Sequence, residues 1–393
     1  MRIALLCFGV GTIANIAGTE KVFVAMANAF CDRGHQVWAV WNDEPGVKPF
    51  YPFREGVHPL NLGLGKIKVP FFYKLQREIN KGLHRSVENK VDAYKTKKLT
   101  ETLRNHWDTI RPDCIVCYEF NSVMVANILS GGKIPVAVMV HNSVDDQIGK
   151  LTPLQRKEAG KADVYQVPMP SFVKEAEQLL TNRIVYIPHV VPQVPDGETA
   201  RPGEKKERYS IVHIGRVEGR QKRQLILAQS FAALAEKYPD WDLDLYGPVG
   251  DEAYKNQLME FIKEKQLKDR IRYQGITERP EEVLKQADIF AFPSSYEAFG
   301  LALAEAMSMG LPAVGFKEAP AVGELIVHQQ NGLLAADEED FTRQLDRLMG
   351  DRPLRAQLGT GAHKAMKQFA PETVWTQWED LLEELCRNKN RAQ

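Results

Sequence analysis

The sequence predicts an α/β protein made of two doubly wound, Rossmann-like domains. At 393 residues the chain exceeds what one hydrophobic core usually serves, so two domains are expected. Short apolar runs alternate with helix-like segments in both halves, which is the pattern of parallel sheets covered on both faces. Between the halves, residues 191–208 contain three prolines, two glycines and a cluster of charges, a composition typical of an interdomain linker.

The first domain is expected over residues 1–195. Its apolar run at residues 3–8 leads through a glycine-containing turn into a segment with helical periodicity, and then into the β-rich residues 36–41. This order predicts a βαβ unit. Four later apolar runs predict further strands, at residues 114–117, 136–140, 164–167 and 184–187.

The second domain is expected over residues 208–370, where the alternation starts again. Its strand-like segments read YSIVHIG, DLDLYG, IRYQG, DIFAFP and PAVGF, with helices between most of them. A last helix within residues 371–393 has tryptophans and leucines at helical spacing, so it is expected to dock on a large surface.

Composition narrows the class of protein. Fifty-one basic residues balance fifty-one acidic ones, which gives no reason to expect a nucleic-acid partner. Five scattered cysteines suit a reducing compartment. No secretory signal is visible, and no apolar run is long enough to span a bilayer, so a cytoplasmic location is expected.

Residues 66–98 form a basic stretch with an aromatic start. They contain ten Lys or Arg against three acidic residues, and Phe71, Phe72 and Tyr73 lie near the beginning. One interpretation is a basic amphipathic helix on an anionic membrane surface, which would make the protein peripheral on the inner face of the membrane. The other is an ordinary helix with a charged, solvated face.

Residues 293–312 hold two glutamates, Glu297 and Glu305, in otherwise apolar or small surroundings. A helix is predicted over residues 301–309, because Gly310 and Pro312 mark its end. The amides of Phe299, Gly300 and Leu301 would then lie at the positive end of the helix, which favours a phosphate. The alternative is a core helix whose single glutamate faces water.

A cationic cluster follows the first strand of the second domain. Arg216 and Lys222 lie directly beyond the strand, with Arg220 and Arg223 close by. Ligands of open α/β sheets bind beyond the carboxyl ends of the strands, and these side chains suit a pyrophosphate. The alternative is a solvated, charge-rich turn.

From about residue 208 onward, the chain resembles the family-4 glycosyltransferases. The resemblance rests on Gly215-Arg216 with Lys222, on DLDLYG, on YQG and on ADIFAFPSSYEAFGLALAEAMSMGLPAVG. It implies the GT-B architecture, in which two Rossmann-like domains face a central cleft and a C-terminal helix crosses back to the N-terminal domain. It also implies a retaining enzyme that uses a nucleotide-sugar donor. The first domain would then be the acceptor domain and the second the donor domain.

The resemblance also implies roles for single residues. Arg216 and Lys222 would hold the donor diphosphate, with support from the amides of residues 299–301. Glu305 would bind the ribose hydroxyls, and Glu297 would bind the hydroxyls of the transferred sugar. Gly275 and Ile276 fall where the family binds the base through main-chain atoms.

Two sites in the first domain are implied less directly. Gly18 resembles the glycine that lets the backbone approach the donor phosphate, although this chain has Ala17-Gly18 where the family usually has a glycine pair. His141 resembles the histidine beside the transferred sugar. A second departure is IPHVV at residues 187–191, where an Asn-Gly pair is common.

The implied chemistry needs no cofactor and no divalent metal. Cations and helix-end amides would stabilise the leaving diphosphate, while the acceptor hydroxyl attacks from the same face. The acceptor would be a glycan or a lipid-linked glycan, as in the synthesis of cell-envelope polysaccharide or lipopolysaccharide.

Two rival functions remain open on sequence. Gly9, Gly11 and Ala14 nearly match a dinucleotide fingerprint, and Asp43 could bind a ribose, which together would suit an NAD(P)-dependent oxidoreductase. That motif is weak, because the helix is expected to begin only near Thr19. The other rival is a catalytically silent GT-B relative that acts as a binding subunit.

Two metal-like motifs are discounted. Asp242 and Asp244 spell a DxD motif, but they alternate with leucines in a strand pattern and are expected to face away from the core. Cys114 and Cys117 lack a second pair of ligands at finger spacing and lie in a predicted strand.

Overall fold

A computed structural model describes residues 1–9, 11–82 and 89–391. The chain divides into two compact units, the first made of Met1–Pro188 with Val374–Gln393 and the second of His189–Thr373. Each unit contains one wholly parallel sheet covered by helices. The predicted pair of Rossmann-like α/β domains is confirmed.

Unit 1 contains a seven-stranded sheet in the order β3-β2-β1-β4-β5-β6-β7. Its strands are β1 Arg2–Cys7, β2 Gln36–Trp41, β3 His58–Asn61, β4 Cys114–Cys117, β5 Val136–Met139, β6 Val164–Val167 and β7 Arg183–Tyr186. The central strands β1, β4 and β5 are buried apart from Arg2 at the start of β1, because helices cover both faces. The order reverses between β1 and β4, which places a topological switch point there.

The helices of unit 1 follow the strands in the order expected of βαβ units. They are α1 Gly18–Asp32, α2 Phe71–Gly82, α3 Lys90–Ile110, α4 Phe120–Ser130, α5 Pro153–Ala159 and α6 Ser171–Leu179, with a π-helical turn at Asp145–Gly149. The basic stretch predicted as one amphipathic helix over residues 66–98 is therefore two helices. Residues 83–88 of that stretch lie outside the described residues.

Unit 2 contains a six-stranded sheet in the order β10-β9-β8-β11-β12-β13. Its strands are β8 Tyr209–Ile214, β9 Trp241–Tyr246, β10 Ile271–Gly275, β11 Ile289–Phe292, β12 Ala313–Phe316 and β13 Gly332–Ala335. The switch point of this sheet lies between β8 and β11, which pair in parallel through Ile211 and Ile289.

The helices of unit 2 are α7 Gln224–Leu234, α8 Glu252–Glu264, α9 Pro280–Gln286, α10 Leu301–Ser308, α11 Val322–Leu325, α12 Glu338–Gly350 and α13 Arg352–Met366. Short 3₁₀ turns lie at Asp196–Glu198 and Lys367–Phe369. Aspartate side chains cap three of the helices, since Asp251, Asp337 and Asp351 accept hydrogen bonds from amides in the first turns of α8, α12 and α13.

The final helix, α14, spans Pro371–Arg391 and packs on unit 1 from Val374 onward. The Trp375 ring meets the Phe30 ring edge-on at 5.8 Å. Glu379 accepts a hydrogen bond from Nε of Arg33 at 2.6 Å, and Lys389 pairs with Asp163 at 2.7 Å. The expectation that the last helix returns to the first domain is thus met.

The predicted linker at residues 191–208 is instead a packed part of unit 2. The Val191 amide donates to the Phe369 carbonyl at 3.0 Å, and the Ala200 amide donates to the Met309 carbonyl at 2.8 Å. The buried guanidinium of Arg355 donates to the Pro202 carbonyl at 2.8 Å. The sequence suggested a free linker because the segment has few apolar residues. It is held instead by hydrogen bonds to main-chain atoms, which leave no apolar pattern in a sequence.

Candidate active site

Two loops meet at the switch point of unit 2, one following β8 and one following β11. The Ser295 amide donates to the Gln221 carbonyl at 2.8 Å, and Nε2 of Gln221 donates to the Tyr296 carbonyl at 3.0 Å. Nε of Arg223 donates to the Pro293 carbonyl at 2.9 Å. These bonds join the cationic loop to the loop that carries the first glutamate.

Lys222 and Glu297 form the centre of this site. Nζ of Lys222 lies 2.5 Å from Oε1 of Glu297, and the two side chains are 15% and 8% exposed. The ammonium also lies 5.2 Å from the centre of the Phe292 ring. Two residues 75 positions apart in the chain, both predicted from the sequence, therefore form a nearly buried ion pair.

Arg216 lies on the same loop, with an exposed side chain. Its carbonyl accepts a hydrogen bond from Nε2 of Gln224 at 2.8 Å. Its side chain passes over Gly250, where an added Cβ would come within 2.5 Å of Cδ of Arg216. The glycine therefore leaves the space through which the Arg216 side chain extends.

A buried histidine supports this loop, and the sequence analysis missed it. Nδ1 of His213 lies 2.9 Å from the Ala291 carbonyl, and Nε2 lies 3.2 Å from Nε2 of Gln224. Burial lowers the pKa of His213 from 6.5 to about 4. The neutral ring donates to Ala291 through Nδ1 and accepts from Gln224 through Nε2. Gln224 in turn fixes the Arg216 backbone.

The α10 helix begins where the sequence predicts an anion site. Gly300 precedes it in the left-handed region, with φ of 85° and ψ of 53°, so a glycine is favoured there. The Phe299 side chain is buried between the rings of His189 and Phe369, each at 5.4 Å and near a right angle. This packing fixes the backbone at the positive end of α10.

Glu305 lies on α10, one turn beyond Leu301, and is half-buried. No acidic residue occupies the first turn of the helix, so its amino-terminal end keeps its positive potential. Glu305 thus lies on α10, one turn after the amides of Phe299, Gly300 and Leu301 at the start of that helix, at the same edge of the sheet as Lys222.

Gly275 ends β10 and Ile276 follows it, two strands from β8 at the same sheet edge. Gly275 has φ of 74°, and its carbonyl accepts a hydrogen bond from the Gly247 amide at 2.7 Å. Ile276 is 53% exposed. The predicted base-binding residues therefore lie at the carboxyl ends of the strands, as do the cations.

In unit 1, Gly18 is the first residue of α1, directly after the extended Ala17. His141 follows β5, and its amide donates to Oε1 of Gln147 at 2.8 Å. The His141 ring stacks on the Tyr118 ring at 4.9 Å, with 7° between the planes. Both residues lie at the carboxyl ends of unit 1 strands, and Gln147 and Tyr118 hold His141 in one orientation.

The turn after β1 is poorly suited to a dinucleotide, because a carboxylate already occupies it. Oε1 of Glu119 accepts from the Phe8 amide at 2.6 Å, and a Cβ on Gly9 would lie 2.4 Å from Cγ of Glu119. The pyrophosphate of a dinucleotide would meet negative charge there. Val10 of this turn lies outside the described residues.

Asp43, the candidate ribose ligand of that rival, is also engaged. Its Oδ2 accepts from the Thr12 hydroxyl at 2.6 Å and from the Ile13 amide at 2.9 Å. Asp43 therefore shapes the turn after β1, which accounts for its position without a nucleotide.

The DxD motif is a structural ion-pair cluster. Asp242 pairs with Arg208, Arg270 and Arg272, and Asp244 accepts from Nε of Arg272 at 2.8 Å. All of these side chains except Arg270 line a polar cavity of about 690 Å³ on the sheet of unit 2. The carboxylates avoid the apolar core as predicted, but they are buried under arginines.

The cysteines of the other discounted motif, Cys114 and Cys117, are buried free thiols in β4. Burial raises the pKa of the Cys117 thiol well above its usual range. Neutral, buried thiols of this kind behave as small apolar side chains.

Comparison with known proteins relates the chain to glycosyltransferases. Residues 197–365 match the family model of glycosyl transferases group 1. An uncharacterized glycosyltransferase of Haemophilus influenzae is 26% identical over 387 residues, which cover 95% of this chain and 99% of that protein.

Two solved structures share the fold of the whole chain. Sucrose-phosphate synthase from Thermosynechococcus elongatus has a TM-score of 0.77 at 18% identity, with 98% of each chain covered. The Anabaena protein HepE, in complex with UDP and glucose, has a TM-score of 0.69 at 16% identity, with 98% of this chain and 100% of that chain covered. The fold is that of the GT-B glycosyltransferases, and the matches together support a group 1 glycosyltransferase.

Within the part of the chain that the structure describes, no helix has both the length and the apolar character needed to cross a bilayer.

Proposed function

We propose that the protein is a retaining glycosyltransferase of family 4, which moves a sugar from a nucleoside-diphosphate donor to a glycan or lipid-linked acceptor. The observation that carries the proposal is the Lys222–Glu297 ion pair at the switch point of unit 2. The ammonium of this pair would suit the diphosphate, and its carboxylate would suit the sugar hydroxyls.

In this proposal, unit 2 binds the donor. Arg216 and Lys222 neutralise the diphosphate, and the amides at the start of α10 hold its distal phosphate. Glu305 accepts hydrogen bonds from the ribose hydroxyls. The backbone at Gly275 and Ile276 contacts the base, which leaves the identity of the base open.

Unit 1 binds the acceptor, with His141 beside the transferred sugar and Gly18 near the donor phosphate. The acceptor hydroxyl attacks the anomeric carbon from the face that the diphosphate leaves. The carbon–oxygen bond to the phosphate breaks, the new glycosidic bond forms, and the hydroxyl proton passes to a leaving phosphate oxygen. The fixed cations and amides supply the stabilisation of the leaving group, so a divalent metal is not needed.

We further propose that the acceptor belongs to cell-envelope polysaccharide or lipopolysaccharide synthesis in the cytoplasm, at the inner face of the membrane. HepE, which shares the fold, is a protein seen with UDP and glucose. That observation supports a nucleotide-sugar as the donor class.

A thermal-shift panel tests the donor class. Uridine, guanosine and adenosine diphosphate sugars are compared with NADH, because a ligand at a hundred times its Kd stabilises the folded protein by about 2.7 kcal/mol. One nucleotide sugar should raise the melting temperature, and Arg216→Gln should abolish the shift. Arg343→Gln, at an exposed arginine of α12, is the matched control and should keep it.

The other outcomes separate the rival functions. A shift with NADH alone would favour the oxidoreductase. Binding of a nucleotide sugar without transfer to any glycan acceptor would favour the silent binding subunit. Where transfer occurs, proton NMR of the product decides whether the anomeric configuration is retained.

A further inference from the structure

The helix α2 of unit 1 turns its apolar side to solvent. Phe71 and Phe72 are 76% and 65% exposed, the highest values among the large apolar side chains of the described residues. Leu75 and Ile79 are 46% and 50% exposed. At 100° per residue these four side chains fall within one arc of about 100° on the helix. We call this set the α2 apolar arc.

The opposite side of α2 is the one that packs on the protein. Among residues 71–80 of the helix, the partly buried ones are Tyr73, Gln76 and Asn80, at spacings of three and four. The Tyr73 ring lies 5.8 Å from the Tyr94 ring of α3. A surface helix usually buries its apolar stripe and exposes its polar one, whereas α2 does the reverse. The apolar arc is therefore unexplained by the packing of unit 1.

Positive charge surrounds the arc. Lys66 and Lys68 precede the helix and are exposed, and Lys74 is exposed on the helix itself. Glu78, the one acidic residue within residues 66–82, is paired with Arg77 at 2.8 Å. Its charge is therefore largely compensated, and the lysines give the region a net positive charge.

We propose that α2 docks on an anionic membrane surface, with the apolar arc in the boundary between headgroups and acyl chains and the lysines on the lipid phosphates. Aromatic and aliphatic side chains of an interfacial helix insert in this way, and each nearby cation adds to the attraction. The partner is a lipid surface, so the inference goes beyond the transfer reaction.

A second copy of the chain fits the arc less well. Four partly exposed side chains present an area on the order of a few hundred Å², whereas a stable protein interface buries about 800 Å² on each partner. Two copies would also bring like-charged lysines together. An anionic bilayer instead complements the charge of the lysines, and docking on it does not require the arc to bury the area of a stable protein interface.

Vesicle flotation of the full chain tests the proposal. The wild-type protein should float with vesicles of phosphatidylcholine and phosphatidylglycerol well above its level with phosphatidylcholine alone. Phe71→Ser with Phe72→Ser should lower the partition coefficient by roughly tenfold or more. The matched control is Ile128→Ser with Met259→Ser, at exposed apolar side chains elsewhere, which should float as wild type.

The charge contribution is tested separately. Lys66→Gln with Lys74→Gln should reduce binding to the anionic vesicles by roughly tenfold, and raised salt should reduce it as well. The control Lys263→Gln with Lys268→Gln removes two exposed lysines from unit 2 and should have little effect.

Three results would overturn the proposal. The wild type could fail to float above the neutral-lipid level, or the double serine variant could float as well as the wild type. Sedimentation without vesicles could instead show that the double serine change dissolves an oligomer, which would identify a second copy as the occupant. Since the mutated side chains are exposed, circular dichroism and the nucleotide-induced melting shift should be unchanged, so failure here is distinguishable from failure of the proposed transferase function.

Discussion

Oε1 of Glu297 lies 2.5 Å from Nζ of Lys222, and both side chains are largely shielded from water. A buried pair of this kind is costly to break by removing one partner, because the other charge is left uncompensated. In the proposed function the pair also serves the substrate. The sugar hydroxyls and the diphosphate would take over the interactions that the two side chains now make with each other.

A double-mutant cycle on this pair should reveal strong coupling. Lys222→Met and Glu297→Gln should each lower the free energy of unfolding, and the double variant should lose less than the sum, with a coupling of about 1–3 kcal/mol. Urea denaturation, followed by tryptophan fluorescence, measures the free energy of unfolding of the wild type and of the three variants. The exposed pair of Arg343 and Glu339 is the control, for which the coupling should stay below about 0.5 kcal/mol. Equal coupling free energies for the two pairs would contradict the expectation that burial strengthens the coupling between Lys222 and Glu297.

Substitution of the two glutamates, Glu297 and Glu305, should affect different constants of the reaction. Glu297→Gln should lower kcat by roughly 100-fold while the donor Kd changes little, because the carboxylate acts on the transferred sugar. Glu305→Gln should instead raise the donor Kd, because it weakens the ribose contact. Calorimetry gives the donor Kd, and a transfer assay gives kcat.

Glu264→Gln, at an exposed glutamate of α8, is the control for both variants. Wild-type kinetics in both Glu297→Gln and Glu305→Gln would show that the assigned roles are wrong.

The close backbone contact between Gly247 and Gly215 should be needed for both stability and donor binding. Gly247 has φ of 139°, and a Cβ there would lie 2.1 Å from the Gly215 carbonyl oxygen. Gly247→Ala should therefore displace the loop that carries Arg216, lower the free energy of unfolding by more than about 2 kcal/mol and weaken donor binding. Gly197→Ala has no atom within 4 Å of the new Cβ and is the matched control. Thermal melting with and without donor measures both effects.

Much of the fold follows from periodicity, because buried parallel strands are short apolar runs that stand out from the helices between them. The strands at Gln36–Trp41, Cys114–Cys117 and Ile271–Gly275 agree with the predicted segments. The edge strand His58–Asn61 was not predicted, since it contains a proline and no apolar alternation.

Candidate site residues could be proposed from the sequence where charge stands out from apolar surroundings, as for Glu297, Glu305 and the Arg216–Lys222 cluster, and the structure joins Lys222 to Glu297. The supporting residues could not be proposed in this way. His213 and Gln224 look like ordinary residues of a strand and a helix, and only the folded chain brings them together. Glu119 is similar, because the sequence does not reveal that its carboxylate lies beneath Gly9, 110 positions earlier in the chain.

Acid should destabilise unit 2 through its buried histidines. Burial lowers the pKa of both His213 and His189 from 6.5 to about 4. Between these pH values the unfolded chain binds protons that the folded chain does not, so the free energy of unfolding falls as the pH is lowered from 6.5 towards 4. Each histidine can account for up to about 3 kcal/mol of that loss.

The variant His213→Gln should isolate one of these contributions. Its free energy of unfolding at neutral pH should be lower than that of the wild type, because the bond to Ala291 is altered. Its dependence on pH between 6.5 and 4 should nevertheless be shallower, because one buried titrating group is gone. Urea denaturation across this range measures the slope. His106→Gln, at an exposed histidine of unit 1, should keep the wild-type slope. A slope in His213→Gln as steep as that of the wild type would mean that His213 takes up its proton over the same pH range in the folded and unfolded chains, so that burial does not keep its ring neutral below pH 6.5.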